Sequence, residues 1–347
     1  MEYRLLGNTG AVVSALGLGT MTFGAESDEK VAHQQLDRYL EQGGNFVDTA
    51  DVYADGESET IIGGWLGSRS GARDRVVLAT KGRFARGDGP NEVGLSRVSL
   101  TRALDASLRR LGVDTIDLYQ AHAWDPVTPI EETLRFYDDA VRAGKIQYVG
   151  VSNFIGWQLQ KTALVARHLG LAPIVTLQPQ YNLLQRSVEL ELTQVCVNER
   201  IGILPWSPLG GGWLTGKYRR NVPPTGETRL GEDPERGMEG YSRRNPDERT
   251  WRVIDAVRSV AEARGSSMAR VALAWLVDRP AVTSVILGAR TLEQLDDNLG
   301  AAGLHLSAEE TARLDQASAP TVDDYPYGEL AVSQRDRVLP GRRPTEP

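Results

Sequence analysis

Cysteine is almost absent: Cys196 stands alone in 347 residues. That excludes an internal disulfide framework and fits a reducing compartment. Cys196 lies in the helix-like segment ELTQVCVNER, where it reads as core packing. Histidine is nearly as scarce, and His33, His122, His168 and His305 are scattered without metal-ligand spacing, so no metal is expected. No run of about 18 apolar residues exists, so no membrane-spanning helix is expected. The opening MEYRLLGNTG lacks the basic-then-apolar pattern of a signal peptide, and a cytoplasmic location is expected. A basic excess is missing too: the net charge of -7 argues against a nucleic-acid partner. Finally, the dinucleotide fingerprint G-x-G-x-x-G is not met, because GLGTMTFG has threonine in place of the third glycine. A Rossmann domain is thereby disfavoured.

What is present is repetition. Apolar runs rich in Val, Ile and Leu occur at 15–20, 45–50, 75–81, 115–122, 145–152, 173–178, 201–206 and 283–288. They read as continuous more than alternating, which suits parallel strands buried on both faces. Amphipathic stretches separate them. In PIEETLRFYDDAVRAGK, residues Ile130, Leu134, Tyr137 and Val141 form one helical stripe, with Pro129 as a first-turn residue. In SLTRALDASLRRLG, Ser99 reads as the N-terminal cap and Gly112 as the stop. Strand and helix alternating eight times predict an α/β fold, a (β/α)8 TIM barrel. LLGNTGAVVS reads as a hairpin placed before it. One barrel domain is expected over 1–330, with a long Gly-, Pro-, Arg- and Glu-rich loop at about 219–247 after the seventh strand. Residues 331–347 read as a polar tail without structure.

In such a barrel the active site gathers at the C-terminal ends of the strands. Asp48, Lys81 and His122 end the second, third and fourth runs, and Tyr53 follows Asp48 in the next loop. Singly, each has an ordinary structural use as cap, solvated strand end or core residue. Together at one mouth they suit carbonyl reduction, in which the oxygen gains negative charge and needs a proton. A free phenol, with a pKa of about 10, donates sluggishly near neutrality. An ammonium beside it stabilises the phenolate, and a carboxylate holds the ammonium. Asp48 and Lys81 read as the tuning pair, Tyr53 as the acid and His122 as the donor orienting the carbonyl.

These residues, with the stretches LGLGTMTFG, VDTADVYADGESE, LATK, YQAH, GKIQYVGVSNF, LQPQYNLL, PWSPLGGGWLTGKY and ILGARTLEQLDDNL, resemble the aldo-keto reductases over residues 3–318. GRFARGDGPNEVGLSR, which follows Lys81, resembles the aryl-alcohol dehydrogenase-like branch. The resemblance implies that Asp48, Tyr53, Lys81 and His122 are catalytic and that NADP(H), in preference to NAD(H), supplies hydride. It assigns the first strand's end, Gly19, Thr20 and Met21, to the cofactor with Asp48. Ser152, Asn153 and Gln178 take the carboxamide, and Trp206 stacks on the nicotinamide. Ser207, Pro208, Leu209, Gly210 and Gly211 carry the pyrophosphate, with Lys217 and Arg229 adding charge. Gly288 and Arg290 fall at the adenosine ribose, with Gln294, Asp297 and Asn298 on one face of the following helix. Many relatives carry a second basic residue where Gln294 stands, so the preference for NADP(H) is open to being incomplete.

The expected partner is a small-molecule carbonyl substrate. Met21, Phe23, Tyr53, Phe84, His122 and Trp124 are expected to line its pocket, with Tyr325 and Tyr327 reaching the mouth from the C-terminal segment. Such a lining suits aromatic or medium-sized aldehydes and ketones. Two alternatives stay open: a nucleotide-linked deoxysugar as substrate, or a non-catalytic NADPH-binding sensor like the potassium-channel auxiliary subunits. Those subunits depart from histidine at the position of His122. Nothing in the sequence sets the oligomeric state.

Overall fold

The computed structural model describes residues 1–226 and 228–334. A hairpin comes first, pairing β1 (Tyr3–Leu5) antiparallel to β2 (Val12–Ser14). Eight strands follow in one parallel sheet: β3 (Leu16–Gly19), β4 (Phe46–Asp48), β5 (Val77–Gly82), β6 (Ile116–Ala121), β7 (Ile146–Ser152), β8 (Ile174–Gln178), β9 (Gly202–Ile203) and β10 (Val285–Leu287). Neighbours follow chain order, and β10 lies beside β3. The ring closes between β9 and β10, where Ile203 N–H donates to Ala281 O at 2.7 Å and Thr283 N–H to Ile203 O at 2.8 Å. The result is the expected (β/α)8 barrel. Each expected strand is found, though the seventh shrinks to two residues. Pro205 stands in that run and has no N–H to continue the ladder.

The barrel helices are α1 (Glu29–Glu41), α2 (Glu57–Ser68), α3 (Arg97–Leu111), α4 (Ile130–Arg142), α5 (Gly156–His168) and α6 (Leu192–Glu199). The long loop carries the short α7 (Arg229–Glu232) and α8 (Tyr241–Arg244). After it come α9 (Glu248–Arg264), α10 (Met268–Val277), α11 (Leu292–Leu299), α12 (Ala308–Ser318) and α13 (Glu329–Ser333). Side-chain caps set several starts: Asp28, Ser96, Asp247, Ser267, Thr291 and Ser307 each accept from a first-turn N–H. Ser96, not Ser99, therefore caps α3. Ser99 lies in its first turn and donates its N–H to Ser96 Oγ at 3.3 Å. Gly112 ends α3 in the left-handed conformation, as expected. Pro129 stands just outside α4 as its N-cap residue, and Ile130, Leu134 and Tyr137 bury the predicted stripe, with Val141 half-buried. The tail is not wholly structureless, because α13 runs to Ser333 and buries Ala331. Positions 335–347 lie outside the described residues.

Two layers inside the barrel set up the site. Phe46, Ala79, Leu118, Val175, Leu204 and Ile286 meet in its interior, and Leu6 and Val13 of the hairpin plug them from below. The hairpin seats this closely because Gly7, at φ 56°, has no Cβ; one there would stand 2.1 Å from Val175 O. Side chains alternate along a strand. Two residues beyond Phe46, Ala79 and Leu118, the same inward face carries Asp48, Lys81 and Gln120. The apolar plug thus gives way to a polar layer at the C-terminal mouth. Cys196 is fully buried, as core packing requires.

Candidate active site

Lys81 is fully buried at the end of β5 and Asp48, at the end of β4, is 2% exposed. Two buried charges are tolerable only if paired and hydrogen-bonded. The ammonium spends its three donors on Asp48 Oδ2 at 2.6 Å, Thr49 O at 2.8 Å and Tyr53 OH at 3.3 Å. The other Asp48 oxygen accepts from Gln120 Nε2 at 3.1 Å and Gln178 Nε2 at 2.9 Å. Since Tyr53 OH accepts from Lys81, its own hydrogen is left for the mouth. Among the described residues it meets no acceptor.

His122 stands across the mouth from Tyr53, ring centroids 5.9 Å apart and edge-to-face. Its Nδ1 is buried with no partner, so the less costly tautomer carries hydrogen on Nε2, which points an N–H donor into the mouth. Burial, then the charges of Lys81 and Arg83, hold the imidazole well below the ordinary histidine range, so it stays neutral. Burial lowers Lys81 as well, but Asp48 and Tyr53 outweigh it and leave the ammonium above its usual range. The phenol departs from expectation. Burial pushes Tyr53 above the ordinary tyrosine value, and the opposing pull of Lys81 does not overcome it. A phenolate would be charged in a dry place, with Asp48 and Asp51 adding repulsion.

Behind Lys81 lies an ionic group that sequence inspection did not single out. Asp51 donates its backbone N–H to Lys81 O at 3.1 Å, and its buried carboxylate approaches Arg86 Nε at 3.4 Å. Neither carboxylate oxygen has a hydrogen-bond partner among the described residues. Burial first, then the nearby Glu59, push Asp51 up to about 7. Glu59 itself is satisfied by Arg110 Nε at 2.8 Å and Thr80 Oγ1 at 2.6 Å.

Most of the residues expected to hold a cofactor fall along β7 to β10 and the loops after them, and the rest at the ends of β3 and β4. Ser152 Oγ donates to Gln178 O at 2.8 Å. Asn153, at φ 56°, donates to His122 O at 3.0 Å and accepts from Trp206 Nε1 at 3.1 Å. Gln178 commits its amide nitrogen to Asp48, while Oε1 is left as an acceptor. Trp206 is half-buried and follows β9. Positive φ at Ser207, Gly210 and Gly211 curls the backbone from Ser207 through Pro208 and Leu209 into a tight turn. Gly19, half-buried, and Thr20, buried, close the first strand, with Thr20 Oγ1 on Asp48 O at 3.1 Å.

Four cations converge beyond that turn. Lys217 is exposed, yet partial loss of water and then the charge of Arg290 hold it below the ordinary lysine range. Arg229 is lowered by burial and then by Arg236, with Arg290 adding to the repulsion. Arg290 meets Glu232 at 2.7 and 2.9 Å and Glu26 at 3.4 Å; Arg236 also meets Glu26, at 2.7 Å. Next to exposed Gly288, α11 does not offer its three residues on one open face. Gln294 Oε1 accepts Arg290 N–H at 2.9 Å, Asp297 pairs with Arg270 Nε at 2.9 Å, and Asn298 is buried and bonds Gly288 O at 3.3 Å.

Around the mouth, Phe84 packs against the His122 ring at 4.6 Å, and half-buried Trp124 stands edge-to-face with Phe154 at 5.2 Å and Trp157 at 5.3 Å. Trp157, 56% exposed, is an aromatic the sequence reading missed, since it lies inside a helix. Met21, just after the first barrel strand, is exposed. Phe23 is a correction: it is wholly inside the core and lines nothing. Its N–H bonds Thr20 O at 3.0 Å, and that turn swings the ring inward. Tyr327 bonds Glu191 at 2.5 Å, ahead of α6, and Tyr325 is exposed to solvent.

The sequence profile of the Aldo/keto reductase family matches residues 15–319. The chain is 38% identical over 317 residues to the uncharacterized oxidoreductase YrpG of Bacillus subtilis, covering 89% of this chain and 93% of that one. It is 35% identical over 306 residues to a probable voltage-gated potassium channel subunit beta of Arabidopsis thaliana, covering 87% and 91%. With versiconal hemiacetal acetate reductase of Aspergillus parasiticus it shares 32% over 343 residues, covering 92% and 98%.

Proposed function

Because this chain belongs to the aldo/keto reductase family, an oxidoreductase family, we propose that it reduces aldehydes or ketones to alcohols at the expense of NADPH. The observation that carries the reading is the chain Asp48–Lys81–Tyr53 facing the open Nε2 of His122. The residues fit a phosphorylated dinucleotide: Lys217, Arg229, Arg236 and Arg290 crowd positive charge that Glu26 and Glu232 only partly offset. Trp206 would hold the nicotinamide ring, and Gln178 Oε1 with Ser152 and Asn153 its carboxamide. The turn from Ser207 to Gly211 with Lys217 and Arg229 would take the pyrophosphate, and Arg290 the 2′-phosphate. When bound, the cofactor supplies the hydride to the carbonyl carbon.

The protein's own groups supply the rest. His122 Nε2–H and the Tyr53 hydroxyl are the two donors that fix a carbonyl oxygen at the mouth. As the oxygen gains electron density, Tyr53 passes its proton to it. Lys81 stabilises the phenolate left behind, and Asp48 keeps Lys81 charged and aimed. The raised phenol keeps the proton in hand at neutral pH until that moment. The aromatic flank of Phe84, Trp124 and Trp157 favours aromatic or medium-sized substrates.

The test is NADPH oxidation with a panel of aromatic and aliphatic aldehydes, comparing the parent with Tyr53→Phe. A loss of about 100-fold or more in kcat with NADPH binding intact supports both the reductase and the acid. Tight NADPH binding with no turnover on any carbonyl supports instead a non-catalytic sensor, the second reading that the similarity to a channel subunit keeps alive.

A further inference from the structure

Arg83 follows β5 directly, two residues past Lys81. Its guanidinium carbon lies 5.1 Å from the centroid of the Phe84 ring, and that ring stands 4.6 Å from the imidazole of His122. The backbone of Arg83 is tied down, its carbonyl accepting Gly94 N–H at 2.8 Å. The guanidinium is not. Its Nε is buried without a partner, and among the described residues the group makes no hydrogen bond or ion pair.

Neighbouring arginines differ. Arg86 has Asp51 and Ser99, and Arg110 has Glu59. The carboxylate whose field reaches Arg83 is Asp125, but its oxygens are spent elsewhere. They accept from Leu95 N–H at 2.8 Å, Val127 N–H at 3.0 Å and Thr128 Oγ1 at 2.6 Å. A buried guanidinium nitrogen without an acceptor is costly, and the cost is recovered when an acceptor arrives. Phe84, shared with His122, places the group beside the mouth. Planar donors on a guanidinium match a carboxylate in bidentate fashion.

We propose that Arg83 receives a carboxylate on the substrate, so that the preferred substrates are aldehydes or ketones bearing a carboxylate a few bonds from the carbonyl. This rests on the reductase reading of the site. The carbonyl oxygen lies between Tyr53 and His122, the carboxylate turns to the Arg83 side, and the substrate's body lies along Phe84 and Trp124. Asp125, held in its own turn, does not compete.

The experiment compares kcat/KM with NADPH for 2-, 3- and 4-carboxybenzaldehyde and their neutral methyl esters, in the parent, Arg83→Met and Arg83→Lys. At least one carboxylated isomer is expected to exceed its ester by about tenfold, mostly through KM, as one charge-assisted pair allows. In Arg83→Met that acid-to-ester ratio falls to about one, whatever the absolute rates, and Arg83→Lys retains part of it. Equal use of acid and ester by the parent overturns the proposal while leaving the reductase standing. So does an acid preference that survives in Arg83→Met. If Arg83→Met turns over neither compound, the ratio in Arg83→Gln decides: reduced to about one, it supports the pairing; kept in full, it sinks it. No turnover of any aldehyde by the parent overturns the reductase reading and this proposal with it.

Discussion

Gln120 donates its side-chain amide to Asp48 Oδ1 at 3.1 Å, and it reaches that oxygen across space that Gly150 leaves empty. A Cβ at Gly150 would stand 2.9 Å from Gln120 Cγ and 2.3 Å from Thr176 Oγ1. Gln178 serves the same oxygen, so Gln120 and Gln178 form a clamp from two different strands. Gln120→Leu removes half of it. A hydrogen bond to a charged group contributes about 1.5–3 kcal/mol, less what is recovered because the partnerless Gln120 Oε1 goes too. The expected result is a lower urea midpoint and a several-fold lower kcat, with KM for the carbonyl nearly unchanged, as suits a residue acting through Asp48 and Lys81. A midpoint and kcat equal to the parent's would mean that Gln178 suffices alone.

The sequence made some of this site legible and hid the rest for identifiable reasons. Asp48, Lys81 and His122 each terminate an apolar run, and the barrel gathers such ends at one mouth, so local pattern plus topology is enough. Gln120 needed one step more: Leu118, Gln120 and His122 share a strand face, and a polar residue between them has to bond something inside. Ser96 and Ser99 stand three residues apart, one just before α3 and one in its first turn, and only the backbone turn distinguishes the cap. Phe23 follows a strand as pocket residues do, but a bond from its own N–H to Thr20 O turns it into the core. Arg290 and Glu232 are 58 residues apart, and their pairing depends on how the long loop lies across the barrel.

The direction of the Tyr53 shift sets the pH behaviour. Reduction needs the phenol protonated. Its pKa lies above the ordinary tyrosine value of about 10, so the proton is present throughout the neutral range. His122, held well below its usual range, contributes no charge change between about pH 6 and 8. Reductive kcat is therefore expected to be flat from about pH 6 to 9, falling only at higher pH, whereas alcohol oxidation, which needs the phenolate, rises with pH. A reductive rate that falls tenfold per pH unit above about 7 would place the acid's pKa near neutrality and contradict the burial argument.

Asp51 predicts a pH dependence of stability. Its folded pKa of about 7 lies above the roughly 3.9 of an unfolded aspartate. The fold therefore holds a proton that the unfolded chain has released. Its contribution is fully present below about pH 4 and is lost as the pH rises to about 7, where the carboxyl ionises in place between Glu59 on one side and Arg86, Arg110 and Lys81 on the other. Each unit of difference corresponds to about 1.4 kcal/mol, so the full loss is on the order of 4 kcal/mol. Asp51→Asn does not titrate. The gap in thermal midpoint between Asp51→Asn and the parent should shift in the variant's favour from pH 5 to pH 8. A constant gap would show that Asp51 is ionised in the fold throughout.

Glu232 holds both terminal nitrogens of Arg290, the seat proposed for a 2′-phosphate. A phosphate must therefore compete with a carboxylate already in place. The pair is exposed on the Glu232 side, where such bridges are weak and screened by salt, so the competition is mild. Glu232→Gln should tighten NADPH binding by up to about fivefold and leave NADH unmoved. Arg290→Met should weaken NADPH by about 10- to 100-fold, again with little effect on NADH, because only the phosphate loses its charged donor. Quenching of tryptophan fluorescence by each nucleotide measures both. If Glu232→Gln weakens NADPH instead, Glu232 is holding the guanidinium in its working position, and its bridge persists in the complex. If Arg290→Met affects the two nucleotides equally, the phosphate sits elsewhere in the cation cluster, and Arg229 and Arg236 become the residues to replace.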